Sequence, residues 1–385
     1  MDKIAYFDNA ATTFPKPTCV YDFANSFYRS SGGNIGRGGN TLAVAAGKIA
    51  SEAKENLRKL YKCPANEVVF TSSATDALNR ILLGLSLKTG DTVYVTPFEH
   101  NAVTRPLHYL AESKDINIKI LPFDKKTFLP IWEEIKTTFH AQPPRLVVMT
   151  HASNVCGAVV PVKEISQIAK QYDSTTVIDM SQTTGLLPLD LASNLYDFAV
   201  FAGHKTLYAP FGIGGFICKP DVHLSPVFFG GNGINSIEQS MPENIVQMEE
   251  IGSQNTYAIA GLKASTEWIL EQGIDYVRNT EARNAAHLLR LLMQVDYCKV
   301  YGSEMKCEQI GVVSASFDGY SPDEAEMVLG RFGVAVRSGI QCAPFAHRFL
   351  DTLPSGTIRF SVSALTNEDD FSILYQALKA IAEAY

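Results

Sequence analysis

The stretch Phe198-Ala-Val-Phe-Ala-Gly-His-Lys205 is an apolar run that ends in a glycine, a histidine and a lysine. A short run of this kind is typical of a strand that is buried on both faces of a sheet. A lysine directly after such a strand is unusual, because its charge is costly to bury without a partner. Alone, Lys205 would be interpreted as a solvated loop residue, so its meaning depends on the segments around it.

Similar apolar runs lie on both sides of this strand and are separated by helical segments. We predict strands at 67–72, 91–96, 117–123, 145–150 and 175–179, and an added antiparallel strand at 212–218. The helices predicted between them are 74–85, 101–113 and 162–172. Short buried strands that alternate with helices indicate βαβ units and a mostly parallel sheet. The predicted fold class is therefore α/β.

After residue 256 the pattern changes to that of an α+β unit. Two long helices are predicted at about 256–271 and 281–294, then strands near 311–317, 334–338 and 357–362. Ser321-Pro-Asp-Glu324 reads as a capping box with proline at the first helical position, and Asn367 is the expected cap of the last helix. We predict a large domain over 15–255 and a smaller one over 256–385. Residues 1–14 could pack on the smaller domain or on the larger one.

Composition supports an ordinary globular protein. The chain has 385 residues, 46% of them apolar, and a formal charge of −7. This apolar content excludes a disordered chain, and the mild acidity argues against nucleic acid as a partner. No apolar run is long enough to span a membrane, and the N-terminus lacks a signal-peptide pattern. We expect a cytoplasmic protein that does not associate with membranes.

Motif spacing excludes several kinds of site. The seven cysteines include no closely spaced pair, so no metal-ligand set is expected. The chain has neither GxGxxG after a strand nor GxxxxGK[ST], which disfavours a dinucleotide site and a P-loop.

Ser72-Ser-Ala-Thr-Asp76 follows a strand and opens a helix. It is at least a helix cap, and its free N–H groups could also bind a phosphate.

Several chemically distinct residues follow different predicted strands. Asp179 ends a strand at the edge where α/β sheets place ligands, and Glu99-His100 follows another strand. Together with the phosphate cradle and Lys205, they suit pyridoxal phosphate. That cofactor needs a lysine for its aldehyde, a carboxylate for its ring nitrogen and donors for its phosphate.

The chain resembles the class V aminotransferase-fold (fold type I) pyridoxal phosphate enzymes and, among them, the NifS/SufS-like cysteine desulfurases. The resemblance extends over almost the whole chain, through motifs that fall in the family's order. These motifs are Tyr6–Thr13, Asn34–Arg37, Glu99–Asn101, Ser153–Gly157, Asp179–Gln182, Gly203–Lys205, Asn255–Thr256, Val336–Gly339, Cys342–Pro344 and Thr357–Arg359. It implies a mostly parallel seven-stranded sheet in the large domain, a smaller α+β domain, and a homodimer.

The resemblance also implies residue roles. Lys205 would hold the cofactor and move protons, Asp179 would keep the ring nitrogen protonated, and His100 would stack on the ring. The remaining implied contacts are Gln182 and Asn154 at the phenolic oxygen, Ala74, Thr75 and His204 at the phosphate, Thr256 at the phosphate of the partner subunit, and Arg359, Asn154 and Arg37 at the substrate.

Cys342 is the implied nucleophile. It would take sulfur from L-cysteine as a persulfide, leave L-alanine, and pass the sulfur to an acceptor protein. It lies in a Gly/Ala/Pro loop near Arg337, whereas the other six cysteines are most simply packing thiols.

The sequence leaves other functions open. A selenocysteine lyase would use the same residues, and a class V epimerase or aminotransferase would not need Cys342. A nicotinamide-dependent dehydrogenase and a non-catalytic sulfur-carrier protein are more distant alternatives. The chain differs from many desulfurases at Ala202, at Ile340–Gln341 and at Ser253–Gln254.

Overall fold

The computed structural model describes residues 4–35, 38–233 and 237–383. Its strands are β1 (Ala5–Tyr6), β2 (Glu67–Thr71), β3 (Thr92–Val95), β4 (Asn117–Ile120), β5 (Pro144–Thr150), β6 (Thr175–Asp179), β7 (Phe198–Ala202), β8 (Gly214–Cys218), β9 (Cys298–Val300), β10 (Val312–Phe317), β11 (Val334–Ala335) and β12 (Ile358–Ser361). Its helices are α1 (Thr18–Ser31), α2 (Thr41–Leu60), α3 (Ala74–Gly84), α4 (Asn101–Lys114), α5 (Trp132–Ala141), α6 (Val162–Ala169), α7 (Ile245–Glu249), α8 (Thr256–Gln272), α9 (Ile274–Met293), α10 (Pro322–Arg331), α11 (Pro344–Phe349) and α12 (Glu368–Glu383).

A seven-stranded sheet in the order β2-β8-β7-β6-β5-β3-β4 forms the centre of the molecule. All neighbouring strands pair in parallel except β8, which is antiparallel to both β2 and β7. The central strands are buried along nearly their whole length, and apolar clusters cover both faces of the sheet. The predicted α/β class, the mostly parallel sheet and the antiparallel strand at 212–218 are confirmed.

Because β8 alone is reversed, the carboxyl ends of the other six strands of this sheet lie at one edge. In register, Thr150 of β5 lies beside Asp179 of β6, which lies beside Val200 of β7. The segments that leave β2, β3, β5, β6 and β7 at this edge carry the predicted cofactor-binding residues of the large domain. This edge is therefore where the fold concentrates its polar side chains.

A second, antiparallel sheet is formed by β12-β10-β9. The start of the chain belongs to this region, because β1 pairs in parallel with β11 and Asp8 bridges to Ser361. Helix α8 packs instead against α1 and α2 and contributes apolar residues to the core of the large sheet. The division at residues 255 and 256 stays a prediction. None of the helices in the described residues is long and apolar enough to cross a membrane.

The sequence pattern does not predict every helix or every helix boundary. The helix predicted at 281–294 begins earlier, at Ile274, because Gly273 with φ +83° ends α8 and leads directly into α9. Helices α1, α2 and α5 were not predicted. The buried face of α2 is made largely of alanines, which give a weak apolar signal but let α8 approach closely.

The predicted capping box at the start of α10 is present: Ser321 accepts from the N–H of Glu324, and the Glu324 carboxylate accepts from the N–H of Ser321. Ser321→Ala removes the cap and should lower the free energy of unfolding by about 1 kcal/mol. Thermal denaturation measures the loss, and Ser321→Thr, which keeps a hydroxyl, should stay close to the native protein. Equal losses in both variants would contradict the capping role.

Candidate functional site

A small cavity lies at the carboxyl edge of the large sheet. It is lined by Ser73, Ala74, Thr75, Leu78, His100, Ala102, Thr150, Asn154, Asp179, Ser181, Gln182, Ala202, His204 and Lys205. All the cofactor-binding residues predicted in the large domain are among them. A larger open cleft elsewhere, beside Tyr61, Pro161 and Cys307, contains none of the predicted site residues.

One end of the cavity is suited to an anion. Ser73 caps α3 by accepting from the N–H of Asp76, and the first N–H groups of the helix have no partner within it. A Cβ on Gly214 would lie 2.5 Å from the carbonyl carbon of Ser73, so only glycine lets β8 pass this close to the helix end. These contacts fix the helix end beneath the cavity.

His204 completes this anion end. Its ring stacks on Phe211 with 4.7 Å between centroids, and its buried Nδ1 has no hydrogen-bond partner. Burial lowers the pKa of His204 to about 3, with smaller contributions from Lys205 and Lys16, so the ring is neutral at pH 7. A buried polar atom without a partner costs free energy, which a bound ligand would recover. The anion end therefore fits the phosphate of the expected cofactor.

Asp179 is held at the middle of the cavity. Its Oδ1 accepts from both the N–H and the hydroxyl of Ser181, at 2.9 and 2.5 Å. Nearby, Nε2 of Gln182 donates to the carbonyl of Ala10, and Nδ2 of Asn154 donates to the carbonyl of Gln341. An oriented carboxylate of this kind suits a basic ring nitrogen.

His100 caps the N-terminus of α4, and a hydrogen bond to the first turn of the helix fixes its ring. Its Nδ1 accepts from the N–H of Ala102 at 3.0 Å, so in the neutral ring the proton resides on Nε2. Burial lowers the pKa of His100 to about 4, and Lys205 adds to this effect while Asp179 opposes it. His100 is therefore neutral at pH 7.

Lys205 follows β7 and is partly accessible from the cavity. Its pKa is lowered from 10.5 to about 8, chiefly by burial. The negative charge of Asp179 opposes this shift, and the positive charges of Arg359 and Arg337 add to it. A substantial fraction of the amine is therefore neutral near pH 8 and able to react with an aldehyde.

Arg359 of β12 reaches this edge from the second sheet and is only 1% exposed. Its Nη1 donates to the carbonyl of Asn154 and its Nη2 pairs with Asp8, while its Nε is buried without a partner. Asp8 belongs to the motif Tyr6–Thr13, but nothing in its spacing indicates this ion pair.

Cys342 lies in an open groove beside the cavity, with Thr75, His100 and Arg105 among the other lining residues. Its side chain is exposed, and Nη2 of Arg337 lies 3.9 Å from its Sγ. Both Cys342 and Gln341 have left-handed φ angles, which cost roughly 1–2 kcal/mol for residues with a Cβ. All seven cysteines are free thiols, and Cys63, Cys156 and Cys218 are buried as expected of packing thiols. Cys19 is exposed, so its interpretation as a packing thiol is wrong.

Besides Cys342 and Arg359, Thr256 is a predicted site residue that does not line the cavity. Thr256 begins α8, where its hydroxyl donates to the carbonyl of Gly33, and it is buried within this chain. Arg37 lies outside the described residues. The roles of both stay predictions.

Comparison with known proteins gives concordant matches over the whole chain. The family model described as aminotransferase class-V matches residues 5–374. A probable cysteine desulfurase of Aeropyrum pernix is 30% identical, over 98% of this chain and 94% of the relative. Another from Halalkalibacterium halodurans is 28% identical, over 99% and 94%. The apo structure of a cysteine desulfurase from Thermococcus onnurineus NA1 matches with a TM-score of 0.90 at 24% identity, covering 99% of this chain and 95% of that one.

Glu99, which precedes His100, is fully buried, and the sequence did not show its hydrogen bonds. Its Oε1 accepts from the hydroxyl of Thr96 at 2.6 Å and the N–H of Thr150 at 2.8 Å, which joins the ends of β3 and β5. Its Oε2 has no partner. Burial raises the pKa of Glu99 from 4.5 to about 8, with a smaller contribution from Asp179, so the carboxyl is protonated at pH 7.

This proton makes stability depend on pH. Between pH 4.5 and about 8 the folded protein keeps the proton that the unfolded chain releases, so rising pH favours unfolding. Glu99→Gln has the same shape without the acid. Its Tm should decline less than that of the native protein across this pH range in thermal scans. Parallel declines in the two proteins would contradict a protonated Glu99.

Proposed function

The chain belongs to the aminotransferase class-V family, whose enzymes depend on pyridoxal phosphate, and from that premise we propose that it converts L-cysteine to L-alanine as a cysteine desulfurase. The observation that carries the proposal is the free, exposed thiol of Cys342 beside the cavity that contains Lys205. The names of the relatives at 28–30% identity support the same reaction. A transamination or epimerisation would leave this thiol without a purpose.

We propose that the cavity residues hold the cofactor as follows. Lys205 would carry it covalently, Asp179 would pair with its ring nitrogen and His100 would contact its ring. Ala74, Thr75 and His204 bind the phosphate, while Gln182 and Asn154 lie near the phenolic oxygen. When bound, pyridoxal phosphate accepts the electrons released at the substrate's Cα.

Arg359 is the proposed site for the substrate carboxylate. Its guanidinium can bind a carboxylate through two parallel bonds, and its Nε–H has no partner within the described residues. Asp8 and Asn154 hold the other nitrogens and so fix the plane of the group. Arg37, which lies outside the described residues, is proposed as a further substrate contact.

The proposed chemistry at the protein side involves two residues. Lys205 removes the Cα proton of the substrate and returns protons to carbon. The sulfur of Cys342 attacks the substrate sulfur, so that an S–S bond forms, the Cβ–S bond breaks, and its electron pair stays with carbon. L-cysteine and the Cys342 thiol thereby give L-alanine and a Cys342 persulfide, with sulfur oxidised and carbon reduced.

The persulfide must then leave the protein. Because the groove at Cys342 is open to solvent, a thiol of an acceptor can reach the outer sulfur, form a new persulfide and restore the Cys342 thiol. The acceptor is proposed to be a protein. Selenocysteine would meet the same residues as cysteine.

We propose that the protein is a cytoplasmic homodimer in which Thr256 contributes to the partner's phosphate site. The free thiols are consistent with a reducing compartment. Large apolar side chains are exposed around Thr256. Tyr28 packs on Tyr257 and is 55% exposed, and Leu42, whose backbone lies beside Gly33, is 48% exposed. Exposed apolar surface of this kind is typical of a protein interface.

Lys205 should be the attachment point of the cofactor. Borohydride reduction followed by peptide mass mapping should place the cofactor on Lys205, and Lys205→Arg should abolish the adduct. Because the pKa of Lys205 is about 8, the rate of attachment should rise with pH through 8 and then level off.

Lys16 provides the matched control, since burial also lowers its pKa to about 8. Lys16→Arg should keep the adduct on Lys205. An adduct on Lys16 would show that acidity rather than position selects the lysine, and would contradict the proposal.

Cys342→Ala should still bind the cofactor but release no sulfide and no alanine from L-cysteine, a loss of several orders of magnitude. Cys19→Ala removes another exposed thiol and should keep native turnover. The measurements are sulfide and alanine formation, with the visible spectrum as the check on cofactor content. Native turnover in Cys342→Ala would overturn the role of Cys342 and favour an epimerase or aminotransferase.

A further inference from the structure

The turn that carries Cys342, here called the nucleophile turn and defined as Ile340–Ala343, has an unfavourable backbone. Gln341 and Cys342 are consecutive residues with φ angles of +43° and +57°. Residues with a Cβ seldom adopt this left-handed conformation, and it persists only where the surrounding structure holds it. Backbone hydrogen bonds hold part of it, since the N–H of Asn101 donates to the carbonyl of Cys342 at 2.7 Å and the N–H of Ala343 donates to that of Ile340 at 3.0 Å. The side-chain contacts that hold it are centred on Gln341.

The side chain of Gln341 is 3% exposed and bonded at every polar atom. Its Nε2 donates to the carbonyl of Thr357 at 2.9 Å and to that of Arg337 at 3.4 Å, and its Oε1 lies 2.8 Å from Nε2 of His347. Its own carbonyl accepts from Nδ2 of Asn154 at 2.8 Å. Because carbonyl oxygens only accept, they determine which end of the amide carries the nitrogen.

His347 is completely buried and its protonation follows from its partners. Since Oε1 of Gln341 accepts, Nε2 of His347 carries the proton, and Nδ1 accepts from the hydroxyl of Thr352 at 2.8 Å. Burial lowers the pKa of His347 to about 4, with a smaller contribution from Arg359, which keeps this neutral form at pH 7. The result is a chain of hydrogen bonds with one direction, from Thr352 through His347 to Gln341.

The same series of hydrogen bonds extends to Arg359, the arginine proposed to bind the substrate carboxylate. Thr357, which accepts from Gln341, lies close to Arg359 on the same strand segment, and Arg337 and Arg359 exchange backbone hydrogen bonds. Asn154 donates to the nucleophile turn through its side chain and accepts from Arg359 through its carbonyl. The position of Cys342 is thereby tied to the position of Arg359.

We propose that Gln341, oriented by His347 and Thr352, is a positioning residue that holds Cys342 where its sulfur meets the substrate sulfur. The proposal rests on the desulfurase function proposed above. It assigns no chemical step to Gln341, His347 or Thr352. Their contribution is to keep the nucleophile turn in its left-handed form and in register with Arg359.

Gln341→Met tests this role, because methionine has a similar length but makes none of the hydrogen bonds. Misplacing a reacting atom by about 1 Å can cost up to about 100-fold in rate, so kcat should fall about 10- to 100-fold. KM for L-cysteine should stay within about twofold, since Arg359 still binds the carboxylate. Thr352→Val should lower kcat in the same way to a smaller extent, and Thr352→Ser, which keeps the hydroxyl, should restore it.

Two controls separate positioning from general destabilisation. Thr266→Val removes a buried hydroxyl that accepts from Asn56 in the α2–α8 packing, so it should lower Tm without lowering kcat. The double variant Gln341→Met/His347→Phe should be no less active than the less active of the two single variants, because both residues act through the same series of hydrogen bonds.

Crystal structures of the variants give a readout that does not depend on activity. Cys342 should leave the left-handed region in Gln341→Met and stay there in Thr352→Ser. The inference is overturned if Gln341→Met keeps a kcat within twofold of the native value, or if its nucleophile turn is unchanged. If the native protein forms no alanine from L-cysteine, the proposed function is overturned instead. The backbone conformation of Cys342 in the variant crystals then still tests whether Gln341 holds the nucleophile turn.

Discussion

The structure depends on the parallel alignment of β3, β5, β6 and β7. Parallel strands end at a common edge, and each segment that leaves this edge places one polar group beside the others. Glu99 shows how firmly the edge is built, since its carboxyl joins the ends of two strands from a fully buried position. Because the edge is fixed by backbone pairing, the groups around the cavity are oriented before any ligand binds.

Burial at this edge determines the charge of each group. It favours the neutral form of Lys205, His100 and His204, whose pKa values all fall, and of Glu99, whose pKa rises. Arg359 remains charged because Asp8 pairs with it. The site therefore combines neutral histidines, a lysine whose amine is partly neutral near pH 8, and a buried arginine that can bind an anion.

The second sheet brings the remaining parts of the site to this edge. Pairing of β10 with β12 places Arg359, and the bridge between Arg337 and Arg359 carries the chain onward to the nucleophile turn. Helix α11 then anchors the turn, since Phe349 packs on Phe98 beside the large sheet. The site is thus assembled from two sheets and from the first residues of the chain.

The sequence by itself determined the α/β class, the βαβ order, the capping box at Ser321 and the position of Lys205, Asp179 and His100 at strand ends, because these follow from local periodicity. It did not show α2, whose buried alanines give little apolar signal. Only the tertiary structure paired Asp8 with Arg359 and joined Thr352, His347 and Gln341 behind Cys342. Such contacts depend on backbone path and on which polar atoms burial leaves facing each other, and neither is expressed in the spacing of residues along the chain.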